Sequence, residues 1–233
     1  YGWDGKIYHK MYDFFINGSI ITENTYPFCQ RVATPFLAGL LQFNEFKNFL
    51  ILNIVSGVLC AIFTFLLARI YYKFLFSCAL TLPLLIGVYA PIRFSNYYPV
   101  YTDPIFMMSC TMGMYFLVRK YFYLAATFLL FSSFTREAGI FIILLILIWG
   151  VLSKNFSKKE GLYFVFTLIL AICASFYSKE IFNCSGSMLT TIFSWAYRRL
   201  SDFKEIERFI AAILMTIGPF LVCMNSNMIL SKY

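Results

Sequence analysis

Charged residues that could do chemistry occur at a few places in this chain, and each of them lies close to an apolar segment. The first is Asp4, which is followed by Gly5 and, four residues later, by Tyr8. Positions four apart share one face of a helix. A carboxylate there could act as a general base that takes a proton from an acceptor hydroxyl. The same residues also fit an aspartate that caps a helix over 5–15 in contact with water.

Arg31 is the second candidate. It ends a polar connection, and Pro35 lies just inside the apolar stretch 32–43 that follows. A guanidinium group at a membrane surface can bind a phosphate through two parallel hydrogen bonds. The alternative is an arginine that anchors the apolar stretch at the interface.

Further along the chain, Arg93 and Asp103 flank a polar and aromatic connection, and Arg136 stands next to Glu137. Asp103 directly precedes Pro104, which is typical of a helix start and also fits an acidic group of a site. Adjacent residues of a helix point in different directions, so Arg136 and Glu137 should reach different partners. Arg136 could pair with Asp103 or with Asp4, and a structural ion pair between helices is the alternative to a binding role.

The composition indicates a membrane protein. Hydrophobic residues make up 61% of the 233 residues and charged residues only 13%, whereas soluble domains have about 45–50% and about 25%. Tyrosines concentrate near the ends of apolar runs, as in an interfacial aromatic belt. The net charge of +8 suits membrane lipid and phosphate-bearing ligands. Because the basic residues form no stripe, a nucleic-acid partner is not expected.

The apolar runs predict an all-α fold, a polytopic transmembrane bundle of about seven membrane helices with an additional interfacial or reentrant helix over 32–43. The runs lie at 49–69, 74–92, 104–118, 121–134, 138–152, 161–177 and 208–224. We expect one transmembrane domain over 1–233. Its predicted parts are an outer loop with juxtamembrane helices (1–48), a helix bundle core (49–177), a second outer loop (178–207) and a last helix (208–224). Since the chain begins with Tyr1, a further helix upstream is expected.

Charge also predicts which side each loop faces. If 1–48 lies outside and every run crosses once, the short inner loops are almost purely basic, as the positive-inside rule requires. Ten of the eleven acidic residues then fall outside and only Glu160 inside. All the candidate site residues share this carboxylate-rich outer face.

The remaining motifs exclude several chemistries. The seven cysteines show no metal-ligand spacing, and the single histidine, His9, has no cysteine or histidine neighbours, so no structural zinc site is predicted. Cys29 and Cys184 lie in polar connections and could form a disulfide. The sequence has no nucleotide-binding loop and no serine or zinc hydrolase motif.

Four short motifs together resemble those of the GT-C glycosyltransferases, which are polytopic membrane enzymes. They are Trp-Asp-Gly with Tyr8, the segment from Tyr26 through Arg31 to Pro35, Tyr-Thr-Asp-Pro around Asp103, and Thr-Arg-Glu-Ala-Gly around Arg136. They match in order and spacing over roughly residues 1–150. The resemblance implies transfer of a sugar from a polyprenyl-phosphate carrier to an acceptor, on the outer or lumenal face of a bacterial inner membrane or its equivalent.

The resemblance also implies roles. Asp4 would be the catalytic base and Asp103 the second acidic group of the site. Five further residues would bind the substrate and its phosphate: Arg31, Arg136, Glu137, Tyr8 and Arg93. No cofactor is required, although two carboxylates could share a divalent cation. Two other interpretations are a non-catalytic integral membrane subunit that packs against protein partners in a larger complex, and a transporter of a lipid-linked saccharide.

Overall fold

Helices form almost all of the described structure, a computed structural model that covers residues 3–21, 24–25, 28–41, 43–86, 100, 102–154 and 156–185. These residues belong to one unit, Tyr1–Ser185. The predicted all-α class is confirmed for this part of the chain. Arg93, most of the predicted outer loop 178–207 and the predicted helix 208–224 lie outside the described residues.

The described helices follow the predicted apolar runs closely. They are α1 Trp3–Asn17, α2 Ala33–Gly39, α3 Glu45–Tyr71, α4 Phe74–Ile86, α5 Asp103–Val118, α6 Phe122–Thr135, α7 Ala138–Leu152 and α8 Lys158–Ile181. A 3₁₀ turn covers Phe28–Gln30. Two short strands, β1 Asn24–Thr25 and β2 Cys184–Ser185, pair in parallel.

Helix starts are explained by local sequence. The Asn44 side chain accepts a hydrogen bond of 2.9 Å from the Lys47 amide and caps α3. In α8, Ser157 and Glu160 form a reciprocal capping box. Pro104 occupies the first turn of α5, where its missing N–H costs no hydrogen bond.

Two of the described helices, α3 and α8, are long and apolar enough to cross a membrane. Helices α4 to α7 are also apolar but have 13 to 16 residues each, which is fewer than the roughly 20 needed for an upright crossing. Large hydrophobic side chains are exposed along α3, α4, α7 and α8. The described residues therefore establish two helices of membrane-crossing length, and a bundle of seven spans stays a prediction.

The core is formed where α5 packs between α3 and α6, and where α6 packs in turn against α7 and α8. Phe49, Ile105, Leu129, Ile143 and Phe164 are fully buried there. Helices α1 and α2 pack against each other, and α2 also contacts α3 and α6.

From α3 to α8, successive helices run in opposite directions, so the described connections between them gather at two ends. We call them the α1 end and the opposite end. At the α1 end, α1 meets the start of α3, where Asn48 donates a hydrogen bond of 3.0 Å to Tyr12, and the end of α8, where Phe14 contacts Phe182. Among the described residues, the opposite end has seven basic residues and one acidic residue, Glu160; the basic ones are Arg69, Lys73, Arg119, Lys120, Lys154, Lys158 and Lys159.

Candidate functional site

A paired arginine and glutamate form the centre of the candidate site at the α1 end. Arg31 Nε lies 3.1 Å from Glu137 Oε2, and Arg31 Nη2 lies 2.9 Å from Glu137 Oε1. The Arg31 side chain is only 8% exposed and that of Glu137 22%. Two parallel hydrogen bonds in a largely dry environment fix the relative orientation of both groups.

Tyr8 holds the other side of the Arg31 guanidinium group. Arg31 Nη1 donates a hydrogen bond of 3.1 Å to the buried Tyr8 hydroxyl. The guanidinium carbon lies 5.1 Å from the centre of the Phe28 ring, close enough for a cation–π interaction. Arg31 is therefore fixed on three sides.

The second ion pair joins Asp103 to Arg136. Asp103 is the first residue of α5 and Arg136 directly follows α6, so the pair ties the start of one helix to the end of its neighbour. Of the two partners that the sequence predicted for Arg136, the structure places Asp103 against it. The Arg136 side chain is 32% exposed, which leaves it much more accessible to a ligand than Arg31.

The two ion pairs are parts of one network, because Arg136 and Glu137 are neighbours in the chain. The members of this network are Tyr8, Arg31, Glu137, Arg136 and Asp103. It contains two guanidinium groups and two carboxylates, so its formal charges cancel.

Gly139 allows the turn between α6 and α7 to bring Arg136 and Glu137 into place. A Cβ atom at Gly139 would lie 2.5 Å from the Ser133 backbone nitrogen, a distance that side chains do not tolerate. The Gly139 amide also donates a hydrogen bond of 3.0 Å to the Arg136 carbonyl. Close approach of backbone to backbone at this position requires a residue without a side chain.

The network shifts the pKa values of its members. Burial raises the pKa of the Tyr8 phenol, and the nearby Arg31 charge only partly opposes this effect. Burial alone would lower the pKa of Arg31, but Tyr8 and Glu137 outweigh it and the pKa is raised. Burial likewise raises the pKa of Glu137, but Arg31 outweighs it and the pKa is lowered. At neutral pH the phenol is protonated and the Arg31–Glu137 pair is charged.

A disulfide fastens the segment that carries Arg31. Cys29 is bonded to Cys184, as the sequence suggested, and so links the 3₁₀ turn to the strand that follows α8. Gln30 also hydrogen-bonds Ser175 of α8. Two adjacent residues of the 3₁₀ turn therefore tie it to α8 immediately before Arg31.

Other predicted positions are less well placed. Asp4 lies in the first turn of α1, four residues before Tyr8, but its side chain is outside the described part of the structure. Because α1 begins at Trp3, the expectation that Asp4 precedes and caps a helix over 5–15 is wrong. Sequence reasoning gave no role to Gly139, although it belongs to the motif around Arg136.

The carboxylates of the network are poorly suited to a divalent cation. Asp103 and Glu137 each face a guanidinium group, and a metal ion between them would approach two positive charges. Among the residues that the structure describes, no group of three or more His, Cys, Asp or Glu side chains could hold a metal.

Searches against protein-family models, curated proteins and solved structures found no match for this chain. Function is therefore inferred from chemistry. Guanidinium groups can bind a phosphate, a carboxylate can accept a proton, and a buried phenol can orient both by hydrogen bonding.

Proposed function

We propose that this chain is a polytopic membrane glycosyltransferase of GT-C type. It moves a sugar from a polyprenyl-phosphate carrier to an acceptor hydroxyl, and its site lies at the α1 end. The observation that carries this proposal is the convergence of Tyr8, Arg31, Asp103, Arg136 and Glu137. These residues come from four separate segments of the chain, and the motif resemblance selected all of them.

Helix properties support the membrane part of the proposal. Helices α3 and α8 have the required length and apolarity. The shorter helices α4 to α7 pack beside them and cross with the help of tyrosine, lysine and arginine side chains that reach towards the interface. Basic connections at the opposite end favour the inner side of the membrane for that end.

The disulfide supports an outward orientation of the site. Disulfides persist on the oxidising side of a membrane and are rare on the cytosolic side. The Cys29–Cys184 bond lies two residues from Arg31 in sequence. The disulfide and the basic connections therefore both support the proposed orientation, with the α1 end on the outer or lumenal side.

In the proposed reaction, Arg136 binds the carrier phosphate because its guanidinium group is partly exposed at the site. Asp4 takes the proton from the acceptor hydroxyl, and the acceptor oxygen forms a bond with the sugar C1 atom. The bond between C1 and the phosphate oxygen breaks, and its electron pair leaves with the polyprenyl phosphate. A cation next to that oxygen stabilises the charge that develops. Asp103 and Glu137 orient the two arginines.

One observation favours a second candidate, a non-catalytic membrane subunit. Arg31 and Arg136 each pair with a carboxylate, which is the arrangement expected of ion pairs that only hold helices together. Such a subunit would keep the network and lack both phosphate binding and sugar transfer. A transporter of lipid-linked saccharides would bind the phosphate and show no transfer.

Binding and transfer separate the three candidates. The first measurement is binding of polyprenyl phosphate to the purified chain in nanodiscs, comparing Arg136→Ala with Arg119→Ala. Arg119 is a matched control because it is an arginine of the opposite end, beside Tyr115. We expect Arg136→Ala to weaken binding at least tenfold and Arg119→Ala to leave it unchanged.

The second measurement is release of labelled sugar from a panel of polyprenyl-phosphate hexoses and pentoses. Asp4→Asn should abolish transfer while the protein keeps its melting temperature. Equal binding by both arginine variants would refute the phosphate role. Binding without transfer would favour the transporter, and neither binding nor transfer would favour the structural subunit.

A further inference from the structure

Three Asn-X-Ser triplets occur in the sequence, at 17–19, 155–157 and 183–185. Such triplets are acceptors of N-linked glycosylation when they are accessible on the lumenal side of a secretory membrane. We propose that Asn17 is an N-glycosylation acceptor and that the other two asparagines are not. This inference depends on the proposed orientation of the α1 end and is independent of any sugar transfer by the chain itself.

The triplet at 17–19 is open to an approaching enzyme. Asn17 is the last residue of α1, and Asn17, Gly18 and Ser19 are all exposed. Gly18 has a φ of +65°, and a Cβ atom built there would meet no atom within 4 Å. The chain therefore leaves α1 into open space at the point where the modified asparagine would be presented.

The triplet at 183–185 lies at the same end but is held against the protein. Asn183 itself is exposed, whereas Cys184 is buried and bonded to Cys29. Residues 184–185 also form β2, which pairs with β1. A transferase must bend the whole triplet around the acceptor amide, and the disulfide and strand pairing oppose this.

The triplet at 155–157 is a built-in control for orientation. It lies in the connection between α7 and α8, next to Lys154, Lys158 and Lys159. This connection belongs to the opposite end, which the proposed topology places on the inner side. An acceptor there would never meet a lumenal transferase.

The donor for this modification is an oligosaccharide linked to a lipid diphosphate, supplied by the secretory membrane. A bond forms between Nδ2 of Asn17 and the sugar C1 atom, and the amide loses one proton. The C1–oxygen bond to the diphosphate breaks, and its electron pair leaves with the lipid diphosphate. No oxidant or reductant takes part.

The test is translation of the full 233-residue chain with rough microsomes, read as electrophoretic mobility before and after digestion with peptide N-glycosidase F. The variants are Asn17→Gln, Asn155→Gln and Asn183→Gln, together with Ser19→Ala, which destroys the first triplet and leaves Asn17 in place. A reporter glycoprotein translated in the same reaction shows that the transferase is active.

We expect a single glycan that both changes at 17–19 remove and that the other two variants retain. Loss of the glycan in Asn155→Gln would overturn the orientation, and loss in Asn183→Gln would overturn the steric argument. Absence of any glycan while the reporter is modified would overturn the proposal. Since none of these results depends on sugar transfer by the chain, they are distinguishable from a failure of the proposed enzyme function.

Discussion

Replacement of Glu137 by Gln tests whether the Arg31–Glu137 pair holds the α1 end together. The change keeps the shape of the side chain but removes its charge. Arg31 would lose a bidentate carboxylate (3.1 and 2.9 Å) while it remains 8% exposed. Removing one partner of a buried pair costs about 3–5 kcal/mol. Because water reaches part of Glu137, we expect the lower value, about 3 kcal/mol, which corresponds to more than a hundredfold change in the unfolding equilibrium.

The assay is thermal and denaturant unfolding of the purified protein in detergent. A loss of about 3 kcal/mol should lower the melting temperature by roughly 6–12 °C in a protein of this length. Glu160→Gln is the matched control, since it removes a carboxylate of an exposed capping box and should cost about 1 kcal/mol or less.

A double-mutant cycle with Arg31→Met completes the test. If the pair is coupled, the double variant should be more stable than the sum of the single changes predicts, because no charge is left buried alone. A Glu137→Gln shift no larger than that of Glu160→Gln, or strict additivity in the cycle, would refute the reasoning.

Three further predictions concern the same end of the molecule. Gly139→Ala should destabilise the protein by about 1–3 kcal/mol in a denaturant titration, because the new methyl group would collide with the α6 backbone. Gly161→Ala is the control: a Cβ atom there would meet no atom within 4 Å, so this change should be neutral or slightly stabilising. Because the pKa of Glu137 is lowered in the folded protein, the Arg31–Glu137 pair adds to the free energy of unfolding at pH values above about 4.5, the ordinary pKa of glutamate. This contribution should be lost as the pH falls below that value, and the pH profile of Glu137→Gln should lack it. Cys29→Ser should lower the free energy of unfolding by several kcal/mol, on the order of 5 from loop entropy for a separation of 155 residues. The measurement is the melting temperature, which should fall in the variant and fall equally when a reductant is added to the unmodified chain.

Much of the fold could be predicted from hydrophobicity alone, since the described helices coincide with the apolar runs. Asp103 and Pro104 also gave the start of α5 correctly. The start of α1 was harder to predict, because Asp4 has a side chain suited to a helix cap and yet lies one residue inside α1, which begins at Trp3. Helix–helix distances were not predictable either, since they depend on close backbone approaches such as the one at Gly139.

The site was predictable to the extent that charged residues beside apolar segments need partners. This reasoning selected Arg31, Asp103, Arg136 and Glu137, but the sequence could not say that Arg31 would choose Glu137. That choice depends on where the disulfide-linked turn places Arg31 relative to the start of α7.

The bond between Cys29 and Cys184 also sets an order of assembly. Proteins are synthesised from the N-terminus, and the second cysteine follows the end of α8. Tyr8 and Arg31 leave the ribosome early, yet their surroundings can be locked only after every helix from α3 to α8 has been made and inserted. Maturation of the α1 end is thereby coupled to completion of these helices, and a chain that stalls before residue 184 would carry the early residues without the covalent link that secures them.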